Sequence, residues 1–355
     1  MNTTPPTGAR KVLVMGASGF VGSHVTRQLV EGGDDVRVFL RKSSSTVAID
    51  DLDVERCYGD LRDEQALRAA MSDRDVVFYC IVDTRAWLRD PTPLFETNVE
   101  SLRRVLDVAA EADLFRFVYC STVGTVAIAG DDAPVTEDTP LNWNGKGGPY
   151  IESRRRGEDM VLRYAKERGL PAVVMCVGTP YGPRDWQPSQ GMFVKLAAAG
   201  RIPLYLKGIG TEVVGVEDAA EAFLLAAERG RIGERYIVSE TYMSMRELFE
   251  TAAHAVGAKL PRLGLPLPAL YTIGYCLSAA SRLLRRDFAL NLTGVRSLHL
   301  TSPLDHGKAM RELGWNPRPT AESIRRAAQW YVDHGARQAA TSDGETAQKP
   351  EAHDS

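Results

Sequence analysis

What this chain lacks narrows its function first. It has no basic surplus: 43 Lys and Arg stand against 46 Asp and Glu, for a net charge of −3. No global field therefore draws it to nucleic acid, and no basic stripe interleaved with aromatics is present. Five cysteines (Cys57, Cys80, Cys120, Cys176, Cys276) lie far apart in 355 residues. None forms a C-x-x-C pair, so neither a zinc site nor a redox motif is expected. An odd, unpatterned set fits a reducing, cytoplasmic compartment. Cys80, Cys120 and Cys176 each end an apolar run and read as small buried hydrophobes. Met1 to Arg10 has no apolar core and is no secretory signal. None of the six histidines has a partner at ligand spacing, so no metal is expected, and His24 reads as packing within a helix. No internal repeat is found. One long stretch lacks charge, the nineteen residues Leu263 to Ser281, followed by Arg282, Arg285 and Arg286. Its length alone admits a membrane span. Pro266 and Pro268 break its start, and Ser, Thr and Gly dilute it. It reads first as a helix of a soluble cap, next as a peripheral membrane contact over 263–286, and last as a span.

What the chain has is a phosphate cradle. Residues 12–22 read Val-Leu-Val-Met-Gly-Ala-Ser-Gly-Phe-Val-Gly, a short apolar strand running into Gly16, Gly19 and Gly22. Ser23 to Val30 follows at helical period. The first glycine permits a tight turn, the second lets the backbone approach a pyrophosphate, and the third lets helix and strand pack closely. Free N–H groups at the helix start then face the anion. Gly16, Ser18, Gly19, Phe20, Val21 and Gly22 are the expected contacts. The alternative is an ordinary strand-to-helix turn, but the strand before and helix after supply the context the motif requires.

Apolar runs alternate with helical segments along the first half. Val12–Met15, Val36–Leu40, Val54–Tyr58, Val76–Cys80, Phe115–Cys120 and Ala172–Val177 read as strands. Ser23–Val30, Glu64–Ala70, Pro93–Ala112 and Ser153–Arg168 read as helices. The expected fold is α/β, a Rossmann-type doubly wound parallel sheet covered on both faces. Ligands in such sheets sit at the carboxyl ends of the strands. The expected dinucleotide-binding domain is 11–177, with 211–238 returning to it. Residues 178–210 and 239–335 form a smaller, mainly helical substrate-binding cap. Residues 1–10 and 336–355 read as disordered, the tail from its Ala, Gln, Ser, Thr, Asp and Glu content.

The glycine motif, Gly59-Asp60-Leu61, Asn98-Val99-Glu100, Ser121-Thr122 and Tyr150 occur in the order seen in extended short-chain dehydrogenases/reductases, the NAD-dependent epimerase/dehydratase family. The chain resembles that family over roughly residues 11 to 335. Gly178 to Trp186 and Gly230 to Ile237 look like its dihydroflavonol-reductase-like and hopanoid-associated sugar epimerase-like branch. The resemblance implies that Asp60, with Leu61, contacts the adenine. It also implies that Tyr150 is the general acid/base and that Thr122, with Ser121 as fallback, positions the substrate oxygen. The family lysine four residues after the tyrosine lowers its pKa and holds the ribose; here that position is Arg154. A guanidinium keeps the positive charge and donors for the ribose, but it is larger and its fork is rigid. Cys176-Val177 and Ile81-Val82 also depart from the residues usual in the branch.

An NAD-selective site places an acid about 20 residues beyond the glycines to hold the ribose 2′-hydroxyl. Nineteen residues past Gly22 stands Arg41, followed by Lys42 and Ser43. A guanidinium matches a phosphate in a bidentate fork, which favours NADP over NAD; the alternative is a solvated basic loop. Asp83, Arg85, Trp87, Tyr181, Arg184 and Trp186 are expected around the substrate mouth, where aromatics could flank a ring, or else as loop packing and surface pairs. The leading reading is an NAD(P)-dependent oxidoreductase, transferring hydride between nicotinamide and a carbonyl or alcohol of a bulky sterol-, flavonol- or terpenoid-like small molecule. The alternatives are a nucleotide-sugar epimerase or dehydratase and, because of Arg154, a non-catalytic NADP-binding protein. A homodimer is common in the family.

Overall fold

The computed structural model describes residues 8–129, 134–143, 145, 147–284, 292, 295 and 302–346. Twelve strands occur among them: β1 Lys11–Met15, β2 Asp35–Leu40, β3 Glu55–Tyr58, β4 Val76–Tyr79, β5 Arg116–Thr122, β6 Ala172–Val177, β7 Thr179–Tyr181, β8 Leu204–Leu206, β9 Gly210–Gly215, β10 Arg235–Val238, β11 Thr241–Ser244 and β12 Leu263–Leu265. The helices are α1 Phe20–Glu31, α2 Glu64–Met71, α3 Thr92–Phe95, α4 Leu102–Ala109, α5 Gly148–Arg168, α6 Gly191–Ala198, α7 Val216–Arg229, α8 Met245–Ala255, α9 Leu267–Leu284, α10 Gly307–Leu313 and α11 Thr320–Thr346. Seven strands form one sheet in the order β10-β6-β5-β4-β1-β2-β3, with every pair parallel. The fold is thus the α/β doubly wound sheet expected from the alternation.

Side-chain alternation builds two cores from one sheet. Val12, Val14, Phe78, Val118 and Met175 face one way and pack with Val25 and Leu29 of α1, Phe223 of α7 and Leu313 of α10. Leu13, Met15, Val77, Phe117 and Val174 face the other way and meet Leu67 of α2, Val105 and Leu106 of α4, and Val161 of α5. Strands buried on both faces read as continuous apolar runs, which is why the sequence gives them up so readily. A third core, with Val194, Ile209, Val213, Leu248, Phe249, Ile324 and Ala328, belongs to the C-terminal part.

The structure amends several boundaries. The expected helix Pro93–Ala112 is a continuous helical run of α3, a π-helical stretch Glu96–Ser101 and α4, ending at Ala109. Widened turns of this kind favour functional positions, and this one carries Asn98 inward. Of the stretch 211–238, α7 covers the sheet and β10 joins its edge beside β6. Strand β9 instead pairs with β7 and β11 in a separate three-stranded sheet. Arg10, read as part of a disordered start, is tied down: its guanidinium bonds Asp34 (3.1 Å, Nε to Oδ1) and Glu228 (3.2 Å). The final helix runs to Thr346, beyond the expected end of order at 335, in keeping with the helix propensity of its Ala, Arg and Gln residues. Residues 1–7 and 347–355 lie outside the described residues.

The long uncharged stretch becomes β12, paired with β8, and then α9. Among the described residues no helix is long and apolar enough to cross a membrane. Leu263, Ile273, Tyr275, Leu283 and Leu284 are nevertheless exposed. Arg285 and Arg286 lie outside the described residues.

Candidate active site

Strand β1 ends at Met15, and the chain turns at Gly16 with φ +91°. A Cβ there would be strained, and it would stand 2.8 Å from the Cys80 carbonyl carbon. A Cβ on Gly22 would collide with the Gly16 carbonyl, because α1 presses against the turn it springs from. Gly19 is the N-cap of α1 and offers no side-chain cap to its first N–H groups. Those orphan donors suit an anion. The cradle thus has the shape and the free donors that a dinucleotide pyrophosphate requires.

Gly16, Ser18, Gly19, Phe20, Val21 and Gly22 line one end of a cavity of about 1090 Å³. Arg41 and Ser44 stand on its wall where β2 ends, and Asp60, Leu61 and Arg62 follow β3. Asp60 is exposed and held by the backbone N–H of Arg62 (2.9 Å) and its Nε (3.1 Å). These bonds, backbone first, keep its carboxyl below the usual range. Arg41 is exposed at the strand end. Lys42 is exposed too, but it is not part of the cavity wall.

Thr122 closes β5 with extended backbone, and its Oγ1 accepts from the Gly124 N–H (3.2 Å). Thr122 shares its surroundings with Tyr150, which lies in the first turn of α5. Both line the same cavity. Burial raises the Tyr150 phenol above its ordinary value, outweighing the charge of Arg154, which lowers it. Tyr150 is therefore a protonated phenol at neutral pH.

Arg154 does not do what its position suggests. It is 1% exposed and absent from the cavity wall, so it offers no donors to a ribose in this arrangement. Its guanidinium lies over the Tyr119 ring (5.3 Å), and Nη2 donates to the Cys120 carbonyl. Nε and Nη1 have no partner, and neither do the hydroxyls of Tyr79 and Tyr119. The physical reason is length and shape: the planar fork extends between the tyrosines of β4 and β5 and settles on a ring face. Its charge still acts on Tyr150, in the direction that lowers the phenol.

Two groups that sequence reading left without a role hold the tyrosine end together. Asn98, 1% exposed, accepts from the Asp83 N–H (2.9 Å) and donates to the Asp83 carbonyl (3.0 Å) and Ser153 Oγ (3.1 Å). Ser153 Oγ in turn donates to the Tyr150 carbonyl (2.7 Å). The loop after β4 is thereby stitched to α5 beside Tyr150. Glu158, 2% exposed, accepts from Ser121 Oγ and from Thr125 Oγ1 (2.6 Å), and pairs with Arg235 (2.8 Å). It clamps the residues flanking Thr122 to α5 and β10. Its signal was present in the sequence: Tyr150, Arg154 and Glu158 are spaced by four and share a helix face.

The expected mouth residues share one cavity, although Tyr181 is 2% exposed and packs into the C-terminal core. Asp83, Arg85, Trp87, Tyr181, Arg184 and Trp186 all line the cavity, with Trp143 and Phe193 in addition. Asp83 is 8% exposed; burial pushes its carboxyl up, but the Arg85 hydrogen bonds and charge bring it below the ordinary value. Arg184 takes φ +64° and reaches Asp51 (3.1 Å) across the cleft. Trp186 is partly committed to packing, edge-on to Trp330 (5.0 Å) and His334 (5.1 Å) of α11. His24 packs in α1 as expected and bonds the Pro183 carbonyl (3.1 Å). Burial holds its ring at about 4, so it is neutral. Two buried acids went unnoticed: Asp185, bonded by the Tyr331 hydroxyl (3.0 Å), and Glu212, which accepts from the Leu304 N–H (2.8 Å). No cluster of three or more metal-ligating side chains occurs among the described residues.

The sequence pattern of the NAD dependent epimerase/dehydratase family matches residues 12–239. The chain belongs to this family. This epimerase/dehydratase-family protein is 29% identical over 326 residues to sterol demethylase protein B of Methylococcus capsulatus, covering 91% of this chain and 98% of that one. It is 27% identical over 329 residues to the 2-alkyl-3-oxoalkanoate reductase of Stenotrophomonas maltophilia, covering 88% and 96%. Among solved structures, gox2253 superposes with a TM-score of 0.82 at 33% identity, covering 92% of this chain and 99% of the other. NAD(P) is the cofactor typical of the family. In this family member the glycine cradle would hold the pyrophosphate, Arg41 the adenosine ribose end and Asp60 the adenine. When bound, the nicotinamide supplies or accepts a hydride.

Proposed function

We propose that this protein is an NADP-dependent reductase of a carbonyl on a bulky, largely apolar substrate. The observation that carries the reading is that Thr122 and Tyr150 both line the cavity that begins at the glycine cradle. Thr122 and Tyr150 would together hold the carbonyl oxygen. A phenol held in its protonated form donates its proton to that oxygen as negative charge develops there, which is general acid catalysis. Asn98 and Glu158 keep the two hydroxyls in register, so that substrate binding does not have to order them. Trp87 and Phe193, both partly exposed on the cavity wall, offer apolar faces for a ring system. Arg41, with Arg62 close by on the same wall, favours the 2′-phosphate of NADP. The sterol demethylase relative supports a polycyclic substrate, and the oxoalkanoate reductase relative supports carbonyl reduction.

The test is a screen of sterol ketones, long-chain ketones and nucleotide sugars for NADPH oxidation, run beside Tyr150→Phe. The expected result is turnover of an apolar ketone that falls by roughly 10²–10⁴-fold in Tyr150→Phe, the scale of a lost general acid. Activity surviving that change would overturn the mechanism. Conversion of a nucleotide sugar with retained NAD and no net NADPH consumption would select the epimerase or dehydratase reading. Tight NADPH binding without turnover of any class would assign the chain a binding role.

A further inference from the structure

Strands β4 and β5 are parallel neighbours whose register ends with Tyr79 opposite Tyr119. The next step sets Cys80 opposite Cys120. Strand geometry persists there, since the Cys80 N–H still donates to the Met15 carbonyl (2.8 Å). Both side chains pack on the same face of the sheet, and both thiols are free and half-buried. Adjacent strands lie about 4.7–4.9 Å apart, within the Cα separation a disulfide spans. The two cysteines line the cavity between the glycine cradle and Thr122, and the Cys80 carbonyl sits against Gly16. Close by lies Arg154, a buried cation with two unpartnered nitrogens, bonded to the Cys120 backbone.

We propose that Cys80 and Cys120 form a redox-active dithiol in the wall of the cleft, closed to an internal disulfide by low-molecular-weight disulfides. Cys120 is the attacking thiol. Its backbone carbonyl accepts from the Arg154 guanidinium, and a cation close to a thiol favours the thiolate. The Cys120 thiolate attacks one sulfur of the small disulfide, forming a mixed disulfide and releasing the other half as a thiolate. Cys80 gives up its proton to that thiolate and attacks Cys120 Sγ, forming the protein disulfide and releasing the second half, which is protonated from solvent. The protein loses two electrons and two protons in total, and one small disulfide becomes two thiols. The bridge ties together the strand ends that carry Ile81–Asp83 and Ser121–Thr122, all cavity residues. Arg154 acquires a role here that the ribose does not give it.

The test treats the full-length protein with hydroxyethyl disulfide, followed by intact mass and non-reducing peptide mapping. The expected product has lost two hydrogens, carries a Cys80–Cys120 cross-link, forms at least tenfold faster than Cys57 is modified, and reverts with dithiothreitol. Cys80→Ser should trap Cys120 as a stable hydroxyethyl mixed disulfide. Should that variant not fold, the wild-type map decides alone. Modification of Cys57 or Cys276 with no Cys80–Cys120 bridge would overturn the proposal, as would a bridge that forms only in urea. A parallel arm with NADPH present concerns the cleft itself. Slower bridging is expected if the dinucleotide covers these residues, and unchanged bridging would count against the cleft reading while leaving the dithiol in place.

Discussion

At the scale of single residues, the site is governed by which side chains keep a polar partner when buried. Asp83 keeps Arg85, and Asn98 keeps Asp83 and Ser153. Arg154 keeps one bond and leaves two nitrogens without any, an expensive arrangement for an ion removed from water. Its charge nonetheless favours the Tyr150 phenolate, although burial prevails. Reduction by a protonated Tyr150 should therefore be flat through the neutral range and decline only on the alkaline side of 10. A kcat/KM profile for ketone reduction checks this, and a limb near neutrality would assign the proton to another group. Arg41, exposed at the end of β2, gives a second residue-scale prediction. Arg41→Ala should weaken NADPH by about 10–100-fold, as for loss of a charge-assisted hydrogen bond, and leave NADH within about threefold. Calorimetric titration of both dinucleotides reads the difference.

At the scale of elements, the glycine turn and the π-helical stretch before α4 do comparable work. Each presents backbone or an amide side chain where regular structure could not. Gly16 is legible in sequence because its need is local, a positive φ between a strand and a helix. The role of Asn98 is not, because its partners Asp83 and Ser153 belong to other elements and meet it only when α5 docks on the sheet. Asn98→Ala removes three buried hydrogen bonds and leaves partners unsatisfied, at about 1–3 kcal/mol for each stranded group. The expected outcome is destabilisation of about 2–4 kcal/mol in urea titration, with a loss of kcat exceeding any rise in KM because Tyr150 is displaced. Equal kcat in a folded variant would show that the stitch does not position the tyrosine.

At the scale of the whole molecule, two buried acids bond segments distant in the chain, Asp185 to Tyr331 and Glu212 to Leu304. Burial raises Asp185 to about 6 and Glu212 to about 7. Both are 5% exposed or less. Their folded values exceed the unfolded ones, so folding favours the protonated forms. The associated stability is full below about pH 4 and fades as pH rises through 6 and then 7. Thermal unfolding should thus show a falling contribution between pH 4.5 and 7.5, worth up to about 3 kcal/mol for Glu212 on the scale of 1.36 kcal/mol per pKa unit. Glu212→Gln should flatten that limb in a Tm-versus-pH series, while an unchanged slope would place the titration elsewhere.

The sequence alone determined the parallel sheet and its glycine turn, because these rest on local signals: apolar runs and a backbone that only glycine allows. Spacing likewise put Arg154 on the helix face of Tyr150. Only the tertiary structure decided where its guanidinium went, since that depended on a ring from β5 and a carbonyl of the same strand. It also brought Cys80 beside Cys120, forty residues apart in the chain, and gave Asn98, Glu158 and Glu212 their partners. A register between strands and the burial of a charge are properties of packing, and the order of residues along one strand does not encode them.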